Sequence, residues 1–290
     1  MKDVYEMAGI SKQAVYQHRS REVQAAYKAK EIFEKASKIR RMHPGAGCRK
    51  MALDMVCKGW GRDKIENLLL NNGYRIYYPP NYTRTTRSQH ELYFPNLIEG
   101  LELVNINQVV QTDITYYRGP DKFYYLVFII DVYSRRIVGY AASKTLEAEA
   151  NIKALTKMLE TRKYDCLDNL IHHSDKGSQY IDKEYLRILG EKNIQISMCD
   201  EAWENAYSER VNRTIKEEYL DRWEIKDFAT LSRLLKQAVK HYNQKRRHKN
   251  LNWQTPTQFE NNVKNLSPDD RLKMKLYKSL ESCSQNRCAD

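Results

Sequence analysis

Two things a cysteine-built protein needs are missing from this sequence. The six cysteines (Cys48, Cys57, Cys166, Cys199, Cys283 and Cys288) are scattered, and no two form a C-x-x-C pair. That argues against a zinc ribbon or a disulfide framework and fits reduced thiols, either small buried hydrophobes or incidental in the tail. A long apolar run is also missing. The longest candidate, "FYYLVFII" at 123–130, is strand-length, well short of the about 20 residues that span a bilayer. The N-terminus, "MKDVYEMAGISKQ", has no apolar signal core, so a cytoplasmic location with no membrane partner is expected.

Acidic charge is scarce by comparison with basic charge. The 49 Lys+Arg outnumber 37 Asp+Glu, for a formal net charge of +12. The excess favours a polyanionic partner, most often nucleic acid, but on charge alone a merely basic soluble protein stands as the even alternative. The 290 residues, with 21 Tyr, 4 Trp and 6 Phe, allow one substantial core and one or two small modules.

The first 40 residues read as helical. The apolar turn Met7-Ala8-Gly9-Ile10 leads to Ser11 as an N-cap, and Lys12, Gln13, Gln17, His18 and Arg19 are free to face a DNA groove. Residues 41–78 give a helix, the turn Gly59-Trp60-Gly61, and a second helix ending at Asn72-Gly73. Both stretches have the outline of a helix-turn-helix, a weak signal because many short helical pairs look alike. Residues 79–104 read as a linker whose Arg84 and Arg87 suit a phosphate backbone, or simply solvent.

From 105 to 222 the pattern changes. Three runs rich in β-branched and aromatic residues are followed by alternating helices and strands, in the order β-β-β-α-β-α-β-α. That order predicts an α/β fold: a mixed five-stranded sheet with helices on its faces. A basic helical segment (223–262) and a polar tail (263–290) complete the chain.

Three acids stand out in this unit. Alternation along "QTDITYY" puts Asp113 on one face with Gln111 and Thr115. Asp175 follows the fourth strand, at the end where the sites of α/β sheets gather. Glu209 lies on the last helix, where Tyr207, Val211, Ile215 and Tyr219 form one stripe and Asn205, Glu209, Asn212, Arg213 and Lys216 the opposite one. Three hard oxygen donors without His or Cys suit Mg²⁺ or Mn²⁺, and two such ions about 3.5–4 Å apart serve in-line displacement at phosphorus. The alternative for any one acid is a solvated charge. Asp131 reads as a strand-end residue rather than a ligand, His172 and His173 as packing residues, and Trp203 as a local anchor or a platform for an unpaired base.

At these residues the chain resembles a known family. "QTDITYY", "IDVYSRRIVGY", "HHSDKGSQY" and "WENAYSERVNRTIKEEYL", with "HYNQKRRHKNLNWQTPTQF" closing the series, are similar to the signature blocks of DDE-type insertion-sequence transposases of the second reading frame, relatives of retroviral integrases. The resemblance covers about residues 40 to 260. It implies a ribonuclease-H-like core, a catalytic, metal-binding triad of Asp113, Asp175 and Glu209, and Lys216 as a DNA contact. It further implies helix-turn-helix recognition of the terminal inverted repeats, strand transfer into target DNA, a nucleoid-associated location, and assembly on DNA as a dimer or higher oligomer, with a first-frame protein as companion. Lys176, Gln179 and Arg213 near the triad, and Lys245, Arg246 and Arg247 in the basic segment, are further candidate DNA contacts, the basic run being a solvated helix end on the bland reading. Two departures stand out. The family's tryptophan before the first aspartate is replaced within Val109-Val110-Gln111, and the 33 residues between Asp175 and Glu209 are slightly fewer than usual. The rival functions are a plain ribonuclease-H-like nuclease and a DNA-binding regulator that no longer cuts.

Overall fold

The computed structural model describes residues 11–55, 59–77, 93–120 and 122–277, and the chain divides into two units, Met1–Pro79 and Pro80–Asp290. The expected turn at 7–10, together with Arg84 and Arg87, lies outside the described residues.

In the first unit neither Gly nor Pro interrupts residues 12–42, and one long helix results, α1 (Lys12–Met42). Ser11 caps it by accepting the Ala14 N–H at 3.1 Å, and Pro44 follows its end. Two short helices follow, α2 (Cys48–Asp54) and α3 (Arg62–Asn71). Ile32 and Ala36 of α1 bury against Met51, Ala52, Met55, Ile65 and Leu69. The C-terminal half of α1 is therefore the packed half.

The second unit is built on the sheet. After the short β1 (Glu102–Leu103), β2 (Val109–Arg118), β3 (Phe123–Asp131) and β4 (Ile137–Ser143) form an antiparallel meander. Helix α4 (Ala148–Thr161), strand β5 (Ile171–Ser174), helix α5 (Lys183–Glu191) and strand β6 (Gln195–Met198) come next. β5 runs parallel to β2, and β6 parallel to β5, giving the order β4-β3-β2-β5-β6. This is the expected ribonuclease-H-like sheet. Helices α6 (Ala206–Glu218), α7 (Phe228–Gln244) and α8 (Pro256–Asn265) close the unit, and β7 (Met274–Lys275) pairs antiparallel with β1.

Strand alternation divides the core. Leu126, Phe128 and Ile130 of β3 pack against Val211, Ile215, Leu231 and Leu235 of α6 and α7. Val127 and Ile129 pack with Ala154, Leu155 and Met158 of α4 on the other face. A Cβ on Gly139 would sit 2.3 Å from the Ala154 carbonyl oxygen, so glycine is what lets α4 lie this close to β4.

A buried ion cluster ties α4 and α8 to the end of β3. Arg162 donates to Glu260 Oε1 at 2.5 Å and Oε2 at 3.0 Å, and to Asp131 Oδ2 at 3.4 Å. Arg136 donates to Glu260 Oε2 at 2.5 Å. Asp131 also accepts from the Asn107 N–H at 2.8 Å and the Ser134 N–H at 2.8 Å. It is thus a strand-end residue, as expected, and fully buried. The polar tail expected from 263 is corrected over its first part. Leu276 is buried in the core that holds Ile98, Leu103 and Phe259, because its apolar side chain and the β7 backbone find partners on β1.

Candidate active site

Register brings the two aspartates together. Gln111 pairs with His173 across the parallel β2–β5 ladder, so Asp113 and Asp175 stand one pleat beyond that rung on neighbouring chains, which run about 4.8 Å apart. Glu209 approaches on the first turn of α6 and is exposed.

Hydrogen bonds fix α6 across β2. Gln111 Nε2 donates to the Glu204 carbonyl at 2.9 Å, and its Oε1 accepts the Tyr207 N–H at 3.1 Å. Asn205 Nδ2 donates to the Thr112 carbonyl at 2.9 Å, Asn212 Nδ2 to Asp113 Oδ2 at 2.7 Å, and Lys216 Nζ to Thr115 Oγ1 at 2.9 Å. Gln111, Asp113 and Thr115 share the face that alternation assigns them. The stripe expected on α6 needs correction. Asn212 is buried with Ser208, Val211 and Ile215, so it faces the sheet and not the outside, and Lys216 is half-buried. Four-residue spacing from Ser208 to Asn212 was the signal that could have placed it.

Electrostatics mark the centre. Burial, then the like charges of Asp175 and Glu209, push the Asp113 carboxyl up to about 8, against the bond from Asn212. Asp175 has a solvent-facing edge, yet desolvation of its carboxyl raises it, opposed by the Gly177 N–H, which donates to Oδ1 at 3.2 Å. Gly177 has an ordinary φ of −70°. Its smallness matters for space, since a Cβ there would press within 3.0 Å of Asp175 Oδ1. Burial lowers the Lys216 ammonium. Cys199 is pushed up to about 12 by burial and then by Asp175, Glu204 and Asp113, so its thiol stays protonated.

Among the described residues no three His, Cys, Asp or Glu side chains converge closely enough to cage an ion as they stand. The donor set nevertheless fits a divalent cation. All three groups are carboxylates, and the raised Asp113 carboxyl is surrounded mainly by like charge. A hard cation would relieve that repulsion.

The other candidates fall at different distances from this centre. Lys176 is ion-paired with Asp200 and lies 4.5 Å over the Tyr93 ring. Gln179 Nε2 donates to the Leu146 carbonyl at 3.4 Å. Arg213 and Lys245 are exposed, as are Lys12 and Gln13 at the start of α1. Arg247 donates to the Trp253 carbonyl at 3.2 Å. Arg246 is the correction: its guanidinium is largely buried and forks onto Glu218, at 2.7 Å and 2.6 Å, so it ties the turn after α7 to the end of α6 and is not presented to a phosphate. His172 and His173 are packing residues, bonded to Tyr185 and Ser197 at 2.8 Å each.

Comparisons with known proteins bear on the family of the chain. Two family models, both described as "Integrase core domain", match residues 105–202 and 192–256. The insertion element IS600 uncharacterized 31 kDa protein of Shigella sonnei is 30% identical over 220 residues, covering 73% of this chain and 80% of that protein. The transposase for insertion sequence element IS904 of Lactococcus lactis is 30% identical over 184 residues, covering 62% of this chain and 72% of the relative. Among solved structures, the HTLV-2 integrase catalytic core domain in complex with magnesium is 20% identical with a TM-score of 0.44, covering 56% of this chain and 99% of that one.

Proposed function

The chain belongs to the insertion-sequence transposases that carry an integrase core, and on that premise we propose that it cuts the ends of its element and joins them to target DNA by divalent-metal-dependent phosphoryl transfer. The observation that carries this reading is the Asp113 carboxyl, pushed up to about 8 by burial and then by the like charges of Asp175 and Glu209, on the face that hydrogen bonds tie to α6.

Asp113, Asp175 and Glu209 would hold two Mg²⁺ or Mn²⁺ ions. Bound there, such ions would supply Lewis-acid activation of the attacking oxygen and charge neutralisation at the leaving one. The chain's own residues do the rest. Asn212 fixes Oδ2 of Asp113 and so orients that carboxylate. Asp175 keeps its orientation through the Gly177 N–H. The attacking oxygen comes from water for cutting and from a DNA 3′-hydroxyl for joining, so no protein nucleophile is needed. Lys176, Gln179, Arg213, Lys216, Lys245 and Arg247 would contact the bound strand, Arg84 and Arg87 the phosphate backbone, and Lys12 and Gln13 the element end. Bringing two ends together calls for at least a dimer on DNA, with a first-frame protein as a candidate companion. No described helix is long and apolar enough to cross a membrane.

The test is an assay on labelled DNA carrying the repeats that flank this gene, with Mg²⁺ or Mn²⁺, comparing wild type with Asp175→Asn. The expected result is nicking at the ends plus joined products in wild type, and at least about a thousandfold loss in the variant. End binding without cutting in either protein would point to a missing companion or to the regulator. Cutting without end preference or joining would favour the plain nuclease.

A further inference from the structure

The segment from Leu272 to Tyr277 lies beyond the residues that either integrase-core model matches, and it is bound at several points. Tyr133 OH donates to the Leu272 carbonyl at 2.8 Å, and the Leu276 N–H to the Leu101 carbonyl at 2.9 Å. The Gly100 N–H donates to the Tyr277 carbonyl at 2.7 Å, and Asn96 Nδ2 to the Tyr277 hydroxyl at 2.9 Å. The strap is thus held by the stretch before β2 and by the turn after β3.

Two contacts leave this strap toward the junction that precedes Glu209. The Tyr277 ring meets Trp203 edge-on, with centroids 4.8 Å apart and planes at 77°. Arg135 donates to Met274 Sδ at 3.0 Å while its guanidinium stacks 3.9 Å over the Tyr207 ring. Trp203 and Tyr207 bracket Glu204 and Asn205, the residues whose backbone carbonyl and side chain are bonded to Gln111 and Thr112 of β2. The strap therefore braces both ends of the short turn that sets where α6 begins, and α6 carries Glu209.

We propose that Tyr277 is a positioning residue: through Trp203 it fixes the 203–207 turn and hence the place of Glu209 relative to Asp113 and Asp175. The proposal rests on the transposase reading for its catalytic consequence and stands apart from it for its structural one. Edge-to-face aromatic contacts hold geometry without closing off a surface. The backbone bonds to Gly100 and Leu101 carry the ring to the stretch before β2, and the Tyr277 hydroxyl on Asn96 only supplements them.

The test uses the full chain with Tyr277→Ala and Tyr277→Phe, the second keeping the ring and losing only the hydroxyl. Amide hydrogen exchange is read first, without metal or DNA. In Tyr277→Ala, exchange across 199–209 speeds by about fivefold or more, while β3 and β4 are unchanged, and Tyr277→Phe stays near wild type. Cleavage of end DNA is read second. The Mg²⁺ concentration for half-maximal rate rises about fivefold or more in Tyr277→Ala, with end binding held within about twofold, and the phenylalanine variant restores it. Exchange that rises across β3 and β4 as well, or an alanine variant that matches wild type in exchange and in metal requirement, would overturn the proposal. A wild type that does not cut removes the transposase reading alone, since the exchange comparison is unaffected by it.

Discussion

The second unit holds two groups of carboxylates, one set against arginines and one with like charge for neighbours. Asp131 and Glu260 are buried beside Arg162 and Arg136. Burial alone would raise Glu260, but the two arginines outweigh it and hold its carboxyl below the usual range, while burial still raises Asp131 against the pull of Arg162. Asp113, with Asp175 and Glu209 as its charged neighbours, is left high. The first group joins β3, α4 and α8 and is neutralised from within. The second leaves its balance to something from outside. A carboxylate given its own cation serves the fold, and one left among its own kind is free to take a ligand.

Breaking the neutralised group should have the largest effect. Arg162→Met leaves Asp131 and Glu260 buried with less compensation and is expected to cost about 3–5 kcal/mol, read as a lower midpoint in denaturant. A loss under about 1 kcal/mol would mean that Arg136 and the surrounding N–H groups suffice.

The next effect separates carboxylates from the histidine on the strand that leads to Asp175. Burial, then the His173 charge, push His172 down to about 3 from an unfolded value near 6.5. The unfolded chain therefore binds more protons as pH falls through that window. Stability is whole above about 6.5 and declines toward 3, by roughly 1 kcal/mol per pH unit. His172→Gln should flatten that part of a curve of melting temperature against pH, and an unchanged slope would assign acid lability to the carboxylates.

Smaller still is the effect of relieving the second group. Asp113 is raised, so the folded metal-free protein keeps a proton that the unfolded chain has released between about 4 and 8. Stability from this group is present at low pH and lost as pH rises through about 8. Asp113→Asn should raise the stability of the metal-free protein near pH 8 by roughly 1–2 kcal/mol, after allowing for solvent screening, and change little at pH 5. The same gain at both pH values would show that like charge is not the strain.

Much of this was legible because it is local. Alternation in "QTDITYY" put Gln111, Asp113 and Thr115 on one face, and all three meet α6 or the turn before it. The order of strands and helices gave the sheet. What failed to show was long-range pairing of polar groups. Arg162 and Glu260 are 98 residues apart, and no period or motif marks either for the other. Asn212 reads as facing a site or solvent until β2 is placed beneath it, and Arg246 as a phosphate contact until Glu218 is. The strap was missed because its polar composition reads as a tail, while its backbone bonds and Leu276 do the holding.

The pairing of β1 with β7 has a consequence for how the protein is made. Glu102 pairs with Lys275, so the first strand of this unit leaves the ribosome with its partner still about 170 residues from synthesis. At about 5–20 residues per second that is a wait of roughly 10–30 seconds. During that interval a nascent chain can already contain Asp113, Asp175 and Glu209 without the brace on the 203–207 turn. The β1–β7 pairing thus also sets an order of assembly, since nothing that depends on it can form before residue 275 has been made.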